Sequence, residues 1–198
     1  MVNRNMEYLE YVKLYKRIRK ILILGSGAVG KTSLTKVLKS QVPLKEMNGN
    51  CDYNRTLFVE IDQFKTDNEV GTFQVFDLAG QLSLPIHATR DTARFAFNAV
   101  DLICYVFSTN NTQSLIELNE WANIVSNYYK QINVNIPPSI LIKNKIDLES
   151  LIDDSLLDHI KPSMKAYFEI SCYDGIGIND LKQWFNDFYD ECSIILKE

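Results

Sequence analysis

The chain has 198 residues, of which 46% are hydrophobic and 23% charged, and a net charge of -4. That balance excludes a disordered chain and leaves enough length for one domain with a real core. The net charge lacks the basic footprint of a general nucleic-acid binder, and no apolar run approaches the roughly 18 residues needed to cross a bilayer.

In chain order, Glu7–Lys20 predicts a helix, because Tyr8, Val12, Tyr15 and Ile18 or Arg19 recur at helical spacing. Six basic residues stand in residues 1–20 against Glu7 and Glu10, so the remainder of the chain carries -8. Residues 1–18 are therefore read as a basic amphipathic helix and 19–198 as one domain. Lys20–Leu24 predicts a short buried strand, followed by a glycine loop and a helix over Gly30–Ser40. Pro43–Asn54 has loop composition. Thr56–Phe64 and Thr72–Phe76 predict two strands joined by a hairpin turn over Lys65–Gly71. A helix after Pro85 runs through Phe97, and Leu102–Ser108 is a strongly apolar strand.

Thr112–Tyr129 predicts one long helix with Leu115, Leu118, Trp121, Val125 and Tyr128 on a face and Asn111 or Thr112 as its cap. Ile140–Lys143 predicts a strand, Ser150–Ile160 a helix, Tyr167–Ile170 a last strand and Ile178–Leu196 a closing helix. Strands and helices alternate, which predicts a mostly parallel sheet covered by helices on both faces. The cysteines, Cys51, Cys104, Cys172 and Cys192, are scattered without metal-ligand spacing and read as free thiols in a reducing cytoplasm.

Two stretches carry chemistry. GSGAVGKTS, residues 25–33, matches G-x-x-x-x-G-K-[ST] through Gly25, Gly30, Lys31 and Thr32, and lies between a predicted strand and a predicted helix. Gly25, Ser26, Gly27, Ala28, Val29 and Gly30 can turn successive backbone N–H groups toward phosphate oxygens, and the helix start at Lys31, Thr32 and Ser33 adds a favourable dipole. Lys31 is expected at the β- and γ-phosphates and the Thr32 hydroxyl at Mg²⁺. The second stretch is NKID, Asn144–Asp147, directly after a strand. Ligands of open α/β sheets sit at the carboxyl ends of strands, so both stretches can reach one site. The Asp147 carboxylate can accept two hydrogen bonds from guanine, a donor pair that adenine lacks; this disfavours an ATPase.

With DLAGQ at Asp77–Gln81 and EISCYDGIGI at Glu169–Ile178, the four motifs follow in order over nearly the whole chain, which resembles the Ras-like small GTPases. The resemblance implies a P-loop three-layer α/β sandwich with a six-stranded sheet, of which Thr56–Phe64 is the one antiparallel strand, plus the additional N-terminal helix. It implies that Asp77 holds Mg²⁺ through water, the Gly80 N–H senses the γ-phosphate and Gln81 orients the attacking water. Ser171 would support Asp147, the Cys172 N–H would contact the guanine oxygen and Lys145 would flank the base. Tyr173, standing where the family has lysine, could cover it. Thr56 is the choice for the first-switch threonine that binds Mg²⁺ and the γ-phosphate, so Gln81, Lys31 and Thr56 are the catalytic candidates. Arg55, beside it, is read as a solvated loop arginine rather than as a catalyst in cis.

The implied function is a switch that binds GTP or GDP with Mg²⁺ and slowly hydrolyses GTP; the alternative is a non-hydrolysing, nucleotide-stabilised scaffold for protein partners. Effectors and GTPase-activating proteins are expected at switch loops near residues 41–60 and 79–95. Val2 stands where N-myristoylation needs glycine, and the last residues form no prenylation box. The N-terminal helix is read as packing on its own domain or a partner in preference to a membrane, and the protein as cytoplasmic, with peripheral membrane association the alternative.

Overall fold

The computed structural model describes residues 18–47, 56, 59–80 and 95–195. The N-terminal stretch predicted as a helix, Arg55, Gln81 and most of the second switch segment lie outside the described residues.

Six strands, β1 (Ile18–Leu24), β2 (Val59–Lys65), β3 (Thr72–Leu78), β4 (Leu102–Ser108), β5 (Ser139–Asn144) and β6 (Ala166–Glu169), form one sheet in the order β2-β3-β1-β4-β5-β6. Only β2 runs antiparallel, paired to β3 from Val59 opposite Leu78 to Lys65 opposite Thr72. The central strands are continuous apolar runs because both their faces are covered. All seven residues of β4 are buried, as are Ile21 to Leu24 of β1 and Ile140 to Ile142 of β5. β2, at the edge, buries only Phe64, and its Asp62 pairs with Lys39 at 2.6 Å.

The helices are α1 (Lys31–Ser40), α2 (Thr112–Ile116), α3 (Leu118–Gln131), α4 (Asp154–Ile160) and α5 (Ile178–Ile195). One face of the sheet, with Ile21, Ile23, Phe73 and Val75, packs on Leu34 and Val37 of α1 and Leu181 and Phe185 of α5. The other face, with Leu22, Leu24, Phe76 and Tyr105, packs on Leu118, Trp121 and Val125 of α3 and Leu157 of α4. Phe73 anchors the first layer: its ring lies 5.0 Å from that of Phe64, 5.3 Å from Phe185 and 5.9 Å from Tyr189. The hairpin glycine, Gly71, lets Tyr189 in, since a Cβ there would lie 2.5 Å from the ring.

Among the differences from expectation are four at β1, β2, the helix over Thr112–Tyr129 and α4. β1 takes in Ile18 and Arg19, which helical spacing claims for the preceding helix; Arg19 is buried beside Tyr189, its guanidinium 5.5 Å from the ring centroid. β2 begins at Val59, leaving Thr56 outside the antiparallel strand. The expected helix over Thr112–Tyr129 is interrupted at Glu117, dividing it into α2 and α3, and Asn111 is its cap, accepting from the Ser114 N–H. α4 starts only at Asp154, because the Asp153 side chain accepts the Ser155 N–H and caps it there.

Phe73→Ala is expected to lower the unfolding free energy by about 3–5 kcal/mol, from lost transfer energy and the cavity left in the aromatic cluster. Urea unfolding at a fixed nucleotide concentration measures it, and a loss below about 1 kcal/mol would show that Phe73 does not anchor this layer.

Candidate nucleotide site

The carboxyl ends of β1, β3, β5 and β6 release Gly25, Ala79, Lys145 and Ile170 onto one edge of the sheet, which is where an open α/β sheet binds its ligand. The loop from Gly25 to Gly30 turns there into α1. Gly30 has φ 99°, and a Cβ on it would lie 2.2 Å from the Asn144 amide nitrogen, so only glycine fits.

The loop's polar groups are sorted. Lys31 Nζ donates to the Gly25 and Ser26 carbonyls, at 2.9 Å each; Asn144 Nδ2 donates to the Val29 carbonyl at 2.9 Å; the Leu34 N–H donates to the Gly30 carbonyl at 2.8 Å. Among the described residues, none of the N–H groups from Ser26 to Gly30 donates a hydrogen bond. The carbonyls of Gly25, Ser26, Val29 and Gly30 are thus taken up inside the protein, while the N–H groups of the loop make no bond within the described residues. The start of α1 has no side-chain cap and no acidic residue in its first turn, which leaves its dipole open to an anion. Burial lowers the Lys31 ammonium below its ordinary range, with the nearby Asp77 carboxylate opposing the shift.

A second corner gathers three expected metal ligands. Thr32 Oγ1 donates to Asp77 Oδ2 at 2.5 Å and lies 3.2 Å from Thr56 Oγ1. The other Asp77 oxygen, Oδ1, is buried with no hydrogen-bond partner. Burial raises the Asp77 carboxyl above its usual range, against the opposing Thr32 hydrogen bond and Lys31 charge. Among the described residues no group of three or more His, Cys, Asp or Glu side chains could hold a metal. Two hydroxyls and one orphaned carboxylate oxygen suit a hard cation that keeps water ligands and accepts phosphate oxygens, as Mg²⁺ does. Gly80 closes this corner on the phosphate loop: a Cβ there would lie 2.3 Å from the Ser26 carbonyl carbon and 2.4 Å from the Gly27 nitrogen.

The third corner holds the base-side residues. Ser171, fully buried, donates to Asp147 Oδ1 at 2.5 Å and accepts the Asp174 N–H at 2.9 Å, fixing an otherwise exposed carboxylate. Asn144 faces inward instead. Its amide bridges Val29 of the phosphate loop to the Cys172 N–H, 3.2 Å from Oδ1. The Cys172 N–H, expected at the guanine oxygen, therefore donates to Asn144 here, and burial first pushes the Cys172 thiol up to about 12. Lys145 is half-buried with φ 64°, and Tyr173 is 56% exposed. Two contacts carry no motif signal. The Leu44 and Lys45 N–H groups donate to the Cys172 and Tyr173 carbonyls at 3.0 and 3.2 Å, tying the start of the first switch loop to the base-side loop. Ser26 Oγ donates to Glu117 Oε2, from the break between α2 and α3.

A glycine phosphate loop, a hydroxyl–carboxylate corner and an anchored Asp147 on one edge of a six-stranded sheet define a P-loop nucleotide-binding domain. Residues 20–147, well over half of the chain, match the family described as "Ras of Complex, Roc, domain of DAPkinase". The chain belongs to this Roc family and is a divergent Ras-like small GTPase. It is 28% identical over 136 residues to the Ypt/Rab-type GTPase ypt7 of Schizosaccharomyces pombe, covering 68% of this chain and 61% of that protein. It is 25% identical over 179 residues to the Ras-related protein Rab7 of Pisum sativum, covering 85% and 80%. A 25% match over 174 residues to the Roc-COR-CHAT protease of Runella zeae covers 82% of this chain but 18% of that protein. The chain thus spans 60–61% of the length of the first three relatives it matches.

Asn144→Ala is expected to lower stability by at least about 2 kcal/mol, because it strands a buried carbonyl at Val29 and a buried N–H at Cys172. Urea unfolding at fixed nucleotide measures it; a loss under about 0.5 kcal/mol would mean that the two loops are not joined through this side chain.

Proposed function

We propose that the chain is a guanine-nucleotide-dependent switch that binds GTP or GDP with Mg²⁺ and slowly hydrolyses GTP. The observation that supports this reading is the Asn144 bridge, which joins the donor-lined phosphate loop to the Cys172 loop beside Asp147. In this reading Lys31 and the N–H groups of the phosphate loop bear the phosphate charge, and Asp147, steadied by Ser171, selects guanine. Thr32, Thr56 and Asp77 would hold Mg²⁺, which when bound neutralises charge on the terminal phosphate oxygens. Lys145 and Tyr173 flank the base, and the Gly80 N–H reads the γ-phosphate.

Hydrolysis needs little covalent chemistry from the protein. Gln81 orients water, and fixed donors stabilise charge as it moves toward the leaving phosphate. Contacts from Thr56 and Gly80 order the segments near 41–60 and 79–95 while the γ-phosphate is present and release them afterwards. Those segments are the surfaces for effectors and activating proteins. We place the protein in the cytoplasm; among the described residues no helix is long and apolar enough to cross a membrane.

Asp147→Asn is expected to move base preference from guanosine toward xanthosine nucleotides, read as competition against a fluorescent GDP, and unchanged preference would remove Asp147 from the base site. Phosphate release from wild type is expected on the order of 10⁻⁴ s⁻¹ without an activator, as for Ras-type enzymes, and slower in Gln81→Leu. Tight GTP binding with no phosphate released over hours would favour the scaffold instead.

A further inference from the structure

A carboxylate outside every sequence motif reaches the phosphate loop. Glu117 stands at the break between α2 and α3, with φ -64° and ψ -17°, and its Oε2 accepts the Ser26 hydroxyl. Its Oε1 accepts Gln113 Nε2 at 3.3 Å, so both carboxylate oxygens have a partner. Ser26 is 5% exposed, so water competes weakly for its hydroxyl, and a hydrogen bond to a charged acceptor is among the stronger kinds. The same residue is held in two further ways: its carbonyl accepts Lys31 Nζ, and Gly80 abuts its peptide.

A carboxylate near an anion site repels the ligand, so electrostatics alone gives no reason for an acid here. Holding the loop does. We propose that Glu117 is a positioning residue: acting through Ser26, it fixes the first peptides of the phosphate loop in the form that grips nucleotide and thereby sets the lifetime of the bound state. This rests on the nucleotide-binding reading above and adds to it a residue on a different helix. When the acceptor is removed, the buried Ser26 hydroxyl is stranded and the loop's N–H array loses one of its three anchors. When only the charge is removed, the anchor stays and the repulsion goes.

The test is the release rate of a fluorescent GDP from the full chain in magnesium buffer. Glu117→Ala and Ser26→Ala are each expected to speed release about ten-fold, and the double variant no more than either single, because both remove one bond. Glu117→Gln keeps an acceptor for Ser26 and is expected to release no faster than wild type. Rates that multiply in the double variant, a Glu117→Gln rate matching Glu117→Ala, or single variants indistinguishable from wild type would each overturn the proposal while leaving nucleotide binding in place. Wild-type protein that binds no guanine nucleotide would overturn both. If Glu117→Ala does not fold, Ser26→Ala made in wild-type and Glu117→Gln backgrounds carries the test: an equal acceleration of about ten-fold in both supports the bond, and none in either sinks it.

Discussion

One carboxamide joins the two ends of this site. The phosphate loop follows β1 and the base-side loop follows β6, strands separated in the sheet by β4 and β5. Asn144, at the end of β5, donates to one loop and accepts from the other. A side-chain amide offers a donor and an acceptor on one short rigid plane. The bridge is buried, so losing either half strands a polar group in a low-dielectric interior, and the spacing between the phosphate and base corners is fixed with corresponding firmness.

Around that bridge the interior accepts charges that a purely structural core would avoid. Lys31 and Asp77 are 6% and 2% exposed, and burial shifts each toward its neutral form. Their mutual attraction opposes both shifts without removing them. An isolated pair of this kind is a weak source of stability. In the proposed nucleotide-bound state a triphosphate and a divalent cation would bring the opposite charges that each lacks, so the same burial that is unfavourable for the protein alone would strengthen the contacts made to ligand. The large aromatic layer of Phe64, Phe73, Phe185 and Tyr189 lies beneath the same sheet and offsets such local penalties.

What was legible in the sequence follows from how narrow each requirement is. Gly30 admits no side chain, Lys31 must follow it, and the central strands must be apolar on both faces; each leaves a mark in the letters. Ser171 was tied to Asp147 only through family resemblance, yet the geometry brings the two within 2.5 Å. Other features left no such mark. The apolar spacing from Leu115 to Val125 runs straight across the break at Glu117, so nothing marked it or its bond to Ser26. Ile18 and Arg19 suit a helix face and a strand equally. β2 is an edge strand with one largely polar face, so its start at Val59 has no apolar boundary. Ser150 and Asp153 are both residue types that cap helices, and the letters alone do not show that Asp153 accepts the Ser155 N–H. The motif marks Asn144 as a position, but its side chain faces inward between Val29 and Cys172, an orientation that four letters do not encode.

The sorting of backbone groups in the phosphate loop explains why so short a segment can select for an anion. A peptide loop carries as many acceptors as donors and has no inherent preference for charge of either sign. Here the carbonyls of Gly25 and Ser26 are taken by Lys31, that of Val29 by Asn144 and that of Gly30 by the first turn of α1. Taking up those four acceptors tips the balance of the loop toward free N–H donors, and the dipole of α1 adds to it with the same sign. The residues that neutralise the carbonyls come from two different elements, α1 and β5, so the selectivity belongs to the folded domain. A nonapeptide of the same letters, without Asn144 across the sheet, would present both ends of its peptides and show no such preference.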